Sequence, residues 1–404
     1  VPSTRTSPVW WHCDRTMRNL GFDAEPPRLR AEGLTVAIRR GRKRPDGTEA
    51  LVMLVTSSGG HLSHLLELSG FWQRHRRVWV SFDLPDVVSR LRGEEVVWAH
   101  HPTARNLPNL ARNLVMAWRE LRRRRPDLIV STGAGVAVPF FWLGRLMGIK
   151  TAYLEVYDRI DSTTMTGRLV RRVSDAVLVQ WPEQGSLYPN AQVMGTIWPD
   201  APIVAVNPRD PNGAEDDVAM RRAGSHPALV VVTVGTDSHR FGRLVTWAGR
   251  WADDHADDAR VVIQRGTAPH PGGVAYCPEA LDFDELLDLM SRADAVVCAA
   301  GPGTVMDALR AGVKPLVVPR NDEMGEHVDG HQVAFAKVLV ERGVTLGANT
   351  ESELRAQLDR VMVQPGWCSV TPLSSAPTPG GIRISAALEA LVSPVPHDTV
   401  AHRG

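Results

Sequence analysis

Residues 51–68 read LVMLVTSSGGHLSHLLEL. Leu51–Thr56 is an apolar run of strand length, and Ser57-Ser58-Gly59-Gly60 breaks it. After the break Leu62, Leu65, Leu66 and Leu68 fall mostly at helical spacing. A strand that turns through small residues into a helix is the opening unit of a parallel α/β sheet. Working outward, strand-like runs recur at 78–82, 96–99, 128–131, 150–156 and 175–180, with helical stretches between them. Residues 199–227, with their prolines, glycines and Asp216-Asp217, interrupt this rhythm and read as a linker. The pattern then restarts with the strand Ala228–Val234 and the turn Gly235-Thr236, and further strands are expected at 260–264, 294–299 and 315–319. The expected architecture is α/β: two Rossmann-like doubly wound domains, 49–198 and 228–365, facing a cleft. Residues 1–48, rich in Pro and Arg, are expected to be a loosely ordered extension, and 366–404 a tail in which Ile382–Val392 can form a final helix.

The chain has 404 residues, enough for two such cores. Its formal net charge of +1 gives no support to a nucleic-acid partner. Of the 46 basic residues 42 are arginine, a skew that genome composition explains as easily as phosphate binding. Cys13, Cys277, Cys298 and Cys368 form no CxxC pair, so a reducing cytoplasm is the expected compartment. No apolar run approaches the roughly 20 residues of a spanning helix, and the N-terminus carries no signal-peptide pattern.

Parallel sheets bind ligands at the carboxyl ends of their strands, where the small-residue turns fall. Gly59 and Gly60 let the backbone approach a ligand, and His61 follows at the helix start; a tight turn with a capping histidine is the plainer alternative. Gly133 and Gly135 follow the strand Leu128–Ser131, for a ligand or for close packing. Glu155 ends another strand as either an acid/base or a capping group, with a local Asp158–Arg159 ion pair as competitor. In the second half Ala300-Gly301-Pro302-Gly303-Thr304 opens a helix, a seat for a diphosphate, and Asp307 lies one turn inside it, placed for ribose hydroxyls or merely for the helix dipole. The loop Glu326-His327-Val328-Asp329-Gly330-His331-Gln332 can grip the same ligand or be a solvated loop; its crowded ligand-like residues argue against a metal site. Asp282-Phe283-Asp284 is most simply a helix N-cap.

These segments together resemble a known family. SSGGHLSHLLEL (57–68), TAYLEVYDRIDSTTMTGRLVRRVSDAVLVQWPE (151–183) and QVMGTIWP (192–199) are similar to the membrane-associated subunit of the two-subunit UDP-N-acetylglucosamine transferase of N-glycan assembly. VTVGTDSHRFGRLV (232–245), ADAVVCAAGPGTVMDALRAGVKPLVVPR (293–320) and HVDGHQ (327–332) resemble its catalytic partner. Bacterial exopolysaccharide (capsule) glycosyltransferases have similar subunits, and both halves resemble the family 28 enzyme that completes the peptidoglycan lipid precursor. The resemblance implies a GT-B fold, a UDP-sugar held mainly by the second domain, and inversion at the anomeric carbon without a metal or other cofactor. It assigns Gly59, Gly60 and His61 to the first glycine loop and Glu155 to the strand-end acid. Gly301, Gly303, Thr304 and Asp307 fall in the donor segment, His331 and Gln332 in its polar loop, and Gly235 and Thr236 in the turn over the diphosphate. Ala300 stands where the eukaryotic subunit has histidine, and Asp307 where glutamate is usual.

His61 is the expected general base, with Glu155 as second choice or as its orienting partner. The expected acceptor is a polyprenyl-diphosphate-linked sugar, met at the inner face of the cell membrane by a peripheral protein. Arg119, Arg122, Arg123, Arg124 and Arg125 and the apolar stretch Val138–Met147 motivate that attachment, although the stretch alone reads as a buried helix. Two other readings stay open: a UDP-sugar epimerase of the same fold, and a non-catalytic nucleotide-binding partner in a polysaccharide complex.

Overall fold

The structure is a computed structural model that describes residues 49–103, 106–198, 227–236 and 239–393. The expected extension at 1–48 and all of the expected linker except Pro227 lie outside the described residues.

The first half contains β1 (Leu51–Val55), α1 (Gly60–Leu66), α2 (Ser69–Trp72), β2 (Arg76–Phe82), α3 (Pro85–Arg90), β3 (Val96–Ala99) and α4 (Leu107–Arg124). It continues with β4 (Leu128–Ser131), α5 (Ala137–Leu146), β5 (Lys150–Leu154), α6 (Met165–Val170), β6 (Ala176–Val179), α7 (Pro182–Gly185) and β7 (Gln192–Val193). All seven strands lie parallel in the order β3-β2-β1-β4-β5-β6-β7. Such a sheet is covered on both faces, so its central strands are apolar on both sides. β1 shows this directly: Val52 and Leu54 enter a core with Leu62 and Leu65 of α1, while Met53 and Val55 enter another with Phe140 and Phe141 of α5.

The second half contains β8 (Ala228–Thr233), α8 (Gly242–Asp254), β9 (Ala259–Gln264), α9 (Phe283–Arg292), β10 (Ala295–Ala299) and α10 (Pro302–Arg310). It is completed by β11 (Leu316–Val318), α11 (His331–Glu341), β12 (Leu346–Gly347) and α12 (Glu351–Val363), and its five parallel strands run β12-β11-β10-β8-β9. Asp282 caps α9, accepting from the Asp284 amide at 3.0 Å, as its position implies.

The strand order reverses between β1 and β4 in one sheet and between β8 and β10 in the other. The turns that follow these four strands are the glycine turns singled out in the sequence. Doubly wound sheets bind ligands at such reversals.

The tail is not an appendage of the second domain. α13 (Pro379–Val392), longer than expected, returns to the first domain and buries Ile384, Leu388 and Val392 in the core that holds Leu68, Trp72 and Trp198. Thr378 donates to the Thr196 carbonyl at 2.7 Å, and Glu389 meets Arg74 and His75 at 2.9 and 3.1 Å. The same core takes in Val305, Met306 and Leu309 of α10 and Phe335 of α11, so the two domains share a buried apolar seam.

Candidate active site

His61 is the second residue of α1, and its partner comes from the neighbouring strand end. Its Nδ1 lies 2.9 Å from the Thr132 carbonyl oxygen, and Thr132 Oγ1 donates back to the His61 carbonyl at 2.8 Å. A carbonyl oxygen only accepts, so Nδ1 carries the hydrogen and Nε2 of the neutral ring keeps its lone pair. Burial lowers the His61 pKa below 6.5, against the opposing pull of Asp158 and the Thr132 carbonyl, and so favours the neutral ring. Gly133 is required beneath it: its φ is 119°, and a Cβ there would lie 3.0 Å from His61 Cε1. Gly135 makes room for Thr103.

His64, one turn on, is structural. Its Nδ1 meets the Gly60 carbonyl at 2.5 Å, its Nε2 accepts from the Tyr157 amide at 2.8 Å, and burial pushes its pKa down to about 4.

Glu155 makes no hydrogen bond to His61. It is fully buried and accepts from Tyr153 Oη at 3.0 Å, from the Val156 amide at 3.0 Å, from the amide and hydroxyl of Thr164 at 3.2 Å each, and from Tyr188. Burial raises its pKa while these bonds oppose the rise. Glu155 therefore ties down the loop after β5, and the orienting partner of His61 is the Thr132 carbonyl. The loop that Glu155 holds carries Asp158 and Arg159, and these do not form the local pair considered in the sequence. They reach across to the second domain: Asp158 Oδ2 lies 3.5 Å from His331 Nε2, and Arg159 Nη2 lies 2.8 Å from Asp329 Oδ2. His331 Nδ1 in turn meets Asp329 Oδ1 at 2.5 Å. Burial lowers the His331 pKa, but the two carboxylates outweigh it and raise it to about 9, so the ring is an imidazolium clamped between the domains. Asp158, itself pulled up by burial, is held well below the carboxylate range by His331. Nothing in the local sequence pairs Asp158 with residue 331; only the juxtaposition of two strand ends does.

The glycines of the facing turns separate into two groups. Gly60 and Gly303 are packing residues, because a Cβ on Gly60 would lie 3.2 Å from Pro302 and one on Gly303 would collide with Ser63 Oγ. These glycines allow α1 and α10 to touch and do not leave space for a ligand. Gly235 and Gly301 are different: a Cβ on either would meet open space, and Gly235 has a φ of 74°. Thr236 faces Gly59, whose Cβ would stand 3.4 Å from the Thr236 hydroxyl, and Thr304 is half-buried in the first turn of α10. Asp307 is buried, and its nearest cation is Arg90 of the first domain at 3.8 Å; burial raises its pKa and Arg90 opposes this. Gln332 accepts from the Arg320 amide at 3.2 Å. Arg320, missed in the sequence, is buried and donates to the carbonyls of Val234 and Glu326, fixing the turn after β8 to the polar loop. In that loop His327, Asp329 and His331 bring ligand atoms within 4.8 Å of one another. The sequence also missed α3, which places Asp86 and Arg90 in the seam.

Residues 229–366 match the Glycosyltransferase family 28 C-terminal domain, and residues 98–197 match the description Oligosaccharide biosynthesis protein Alg14 like. The chain resembles the glycosyltransferases of family 28. A UDP-N-acetylglucosamine--N-acetylmuramyl-(pentapeptide) pyrophosphoryl-undecaprenol N-acetylglucosamine transferase of Bordetella pertussis is 29% identical over 239 residues, 57% of this chain. The match spans about three-fifths of that relative, 61% of its length. Among solved structures, spinosyn forosaminyltransferase SpnP aligns over 85% of this chain and 99% of its own, with a TM-score of 0.51 at 16% identity. A UDP-N-acetylglucosamine 2-epimerase structure from Listeria monocytogenes aligns over 85% and 96%, with a TM-score of 0.53 at 12% identity. The fold is thus GT-B, two parallel-sheet domains joined face to face.

Proposed function

We propose that this chain is an inverting glycosyltransferase that moves a sugar from a UDP-sugar to a polyprenyl-diphosphate-linked sugar acceptor in exopolysaccharide or other surface-glycan synthesis. The observation that carries the reading is the fixed tautomer of His61, a half-buried neutral imidazole with Nε2 free as a base at the reversal point of the first sheet. In the reaction the acceptor hydroxyl oxygen bonds to the anomeric carbon from the face opposite the diphosphate. The bond from that carbon to the diphosphate oxygen breaks, the hydroxyl proton passes to His61 Nε2, and UDP departs with the bonding electrons. The open space at Gly235 and Gly301 would receive the diphosphate, with the amides that start α10 and the Thr236 and Thr304 hydroxyls as donors. Asp307 would accept from the ribose, and the His331 imidazolium would add positive charge nearby.

An epimerase of the same fold remains the rival, and the match of the second half to a glycosyltransferase family favours transfer. Attachment to the inner leaflet rests on α4. Leu107, Leu110, Leu114 and Trp118 form an exposed apolar stripe beside the exposed Arg119 and Arg122, and Trp142 and Leu146 of α5 are exposed as well. Phe140 and Phe141, part of the stretch considered for the membrane, are core residues. A panel of UDP-sugars incubated with the pure protein and membrane lipid extract tests the function. Sugar incorporation into lipid, with and without EDTA, is expected; absence of incorporation from every donor would overturn it.

A further inference from the structure

α3 is one and a half turns long, and its two seam-facing ionic groups stand four residues apart on one side of the helix. Asp86 Oδ2 accepts from the Gly59 amide at 2.9 Å and from the Thr236 hydroxyl at 3.4 Å, so one carboxylate joins the glycine turns of both domains. Arg90 reaches Asp307 at 3.8 Å and donates to Ser63 at 2.8 Å, and its guanidinium lies 4.2 Å over the Phe283 ring. Neither ionic group is fully satisfied: Asp86 Oδ1 and Arg90 Nε are buried without a hydrogen-bond partner among the described residues. A buried charge left partly unpaired is costly, so this arrangement is one that a better-matched ligand can displace.

The chemistry of the two contacts matches the two ends of a nucleoside diphosphate. Asp86 puts a carboxylate oxygen on the hydroxyl of Thr236, the residue assigned to the diphosphate. Arg90 holds its guanidinium 3.8 Å from Asp307, the residue assigned to the ribose hydroxyls, as an ion pair. We infer that α3 is a built-in plug, in which Asp86 stands in for the diphosphate and Arg90 for the ribose, so that donor binding must displace both. This rests on the donor reading above and adds to it that side chains of α3 compete with the donor for Thr236 and Asp307. When a UDP-sugar enters, Asp86 leaves Thr236, because two anions do not share one donor, and Arg90 gives up Asp307 to the ribose. α3 and the turn after it also meet the second domain through the Ser89 hydroxyl with the Phe283 amide at 3.3 Å and the exposed Arg92 with Asp282 and Asp284. Exposed pairs of that kind hold weakly.

The test is calorimetric titration of UDP and of uridine into the full chain, Asp86→Asn, Arg90→Gln and the double variant, each checked for folding by circular dichroism. Asp86→Asn is expected to tighten UDP about tenfold, the ratio set by releasing one charge-assisted hydrogen bond, while uridine binding stays as it was. Arg90→Gln is expected to tighten both ligands, and the double variant to bind UDP most tightly. UDP binding that is unchanged or weaker in both single variants would overturn the plug while leaving the donor reading intact. No UDP binding to any of the four proteins would instead remove the donor reading, and the plug with it.

Discussion

His61 and His64 sit on one short helix, yet only one has a free ring nitrogen, and the difference lies in what each partner can offer. Thr132 offers a carbonyl and takes one nitrogen; Gly60 and the Tyr157 amide take both nitrogens of His64. His61→Ala is accordingly expected to lower kcat by roughly 10²–10⁴-fold with UDP affinity retained. Because burial lowers the His61 pKa, the base is competent above that pKa. Activity should rise with pH through an acid limb whose midpoint lies below 6.5, and a limb centred above 7 would reassign the base. His331 titrates in the opposite sense. Its raised pKa means that the protonated ring contributes stability in full below about 6.5 and loses it as pH rises through about 9. Thermal scans from pH 6 to 10, intervals on the order of one unit, should show Tm falling across that window in the natural chain and a flatter profile in His331→Asn. The strand-end positions of His61, Gly133, Gly235 and Gly301 are legible in the sequence, because strand-turn-helix units announce their own carboxyl ends. Glu155 stands at its strand end as the sequence indicates, but its partners Tyr153, Thr164 and Tyr188, the last 33 residues distant, are joined by no local pattern.

At the scale of elements, the sequence rhythm gives the long strands and fails at the short connecting pieces. β7 and β12, two residues each, exist only through pairing with a longer neighbour. α3 is too short to show a helical period, so Asp86 and Arg90 went unread. α13 was expected as a helix, but its destination was not, because the contact that directs it is steric. A Cβ on Gly380 would collide with the backbone of Gly195 and Thr196. Gly380→Ala is therefore expected to lower Tm, with a cost of about 1–3 kcal/mol from overpacking, whereas Gly242→Ala, with open space around it, should leave Tm close to that of the natural chain. Equal melting of the two variants would show that α13 is not pinned to the first domain at that point.

For the whole molecule, two parallel sheets bring their reversal points face to face, and charge pairs cross the seam at several places. Asp158–His331, Arg159–Asp329, Arg90–Asp307 and Glu67–Arg310 each join residues that no sequence window contains. The apolar stripe of α4 lies outside this seam, and no helix among the described residues is long and apolar enough to cross a membrane. Flotation with anionic vesicles is expected to carry the protein upward at low salt and less so at high salt. Trp118→Ser with Leu114→Ser should weaken it at both, since the arginines contribute attraction and the stripe contributes insertion. A protein that stays at the bottom of the gradient under all conditions would remove the attachment. The central claim, transfer with inversion from a UDP-sugar, is tested most directly by following the anomeric proton signals of donor and product over time, with and without lipid-linked acceptor. An α-linked donor should give a β-linked product together with free UDP, only when acceptor is present. Conversion of the UDP-sugar to an isomer without acceptor, or a product that keeps the donor's anomeric configuration, would contradict it.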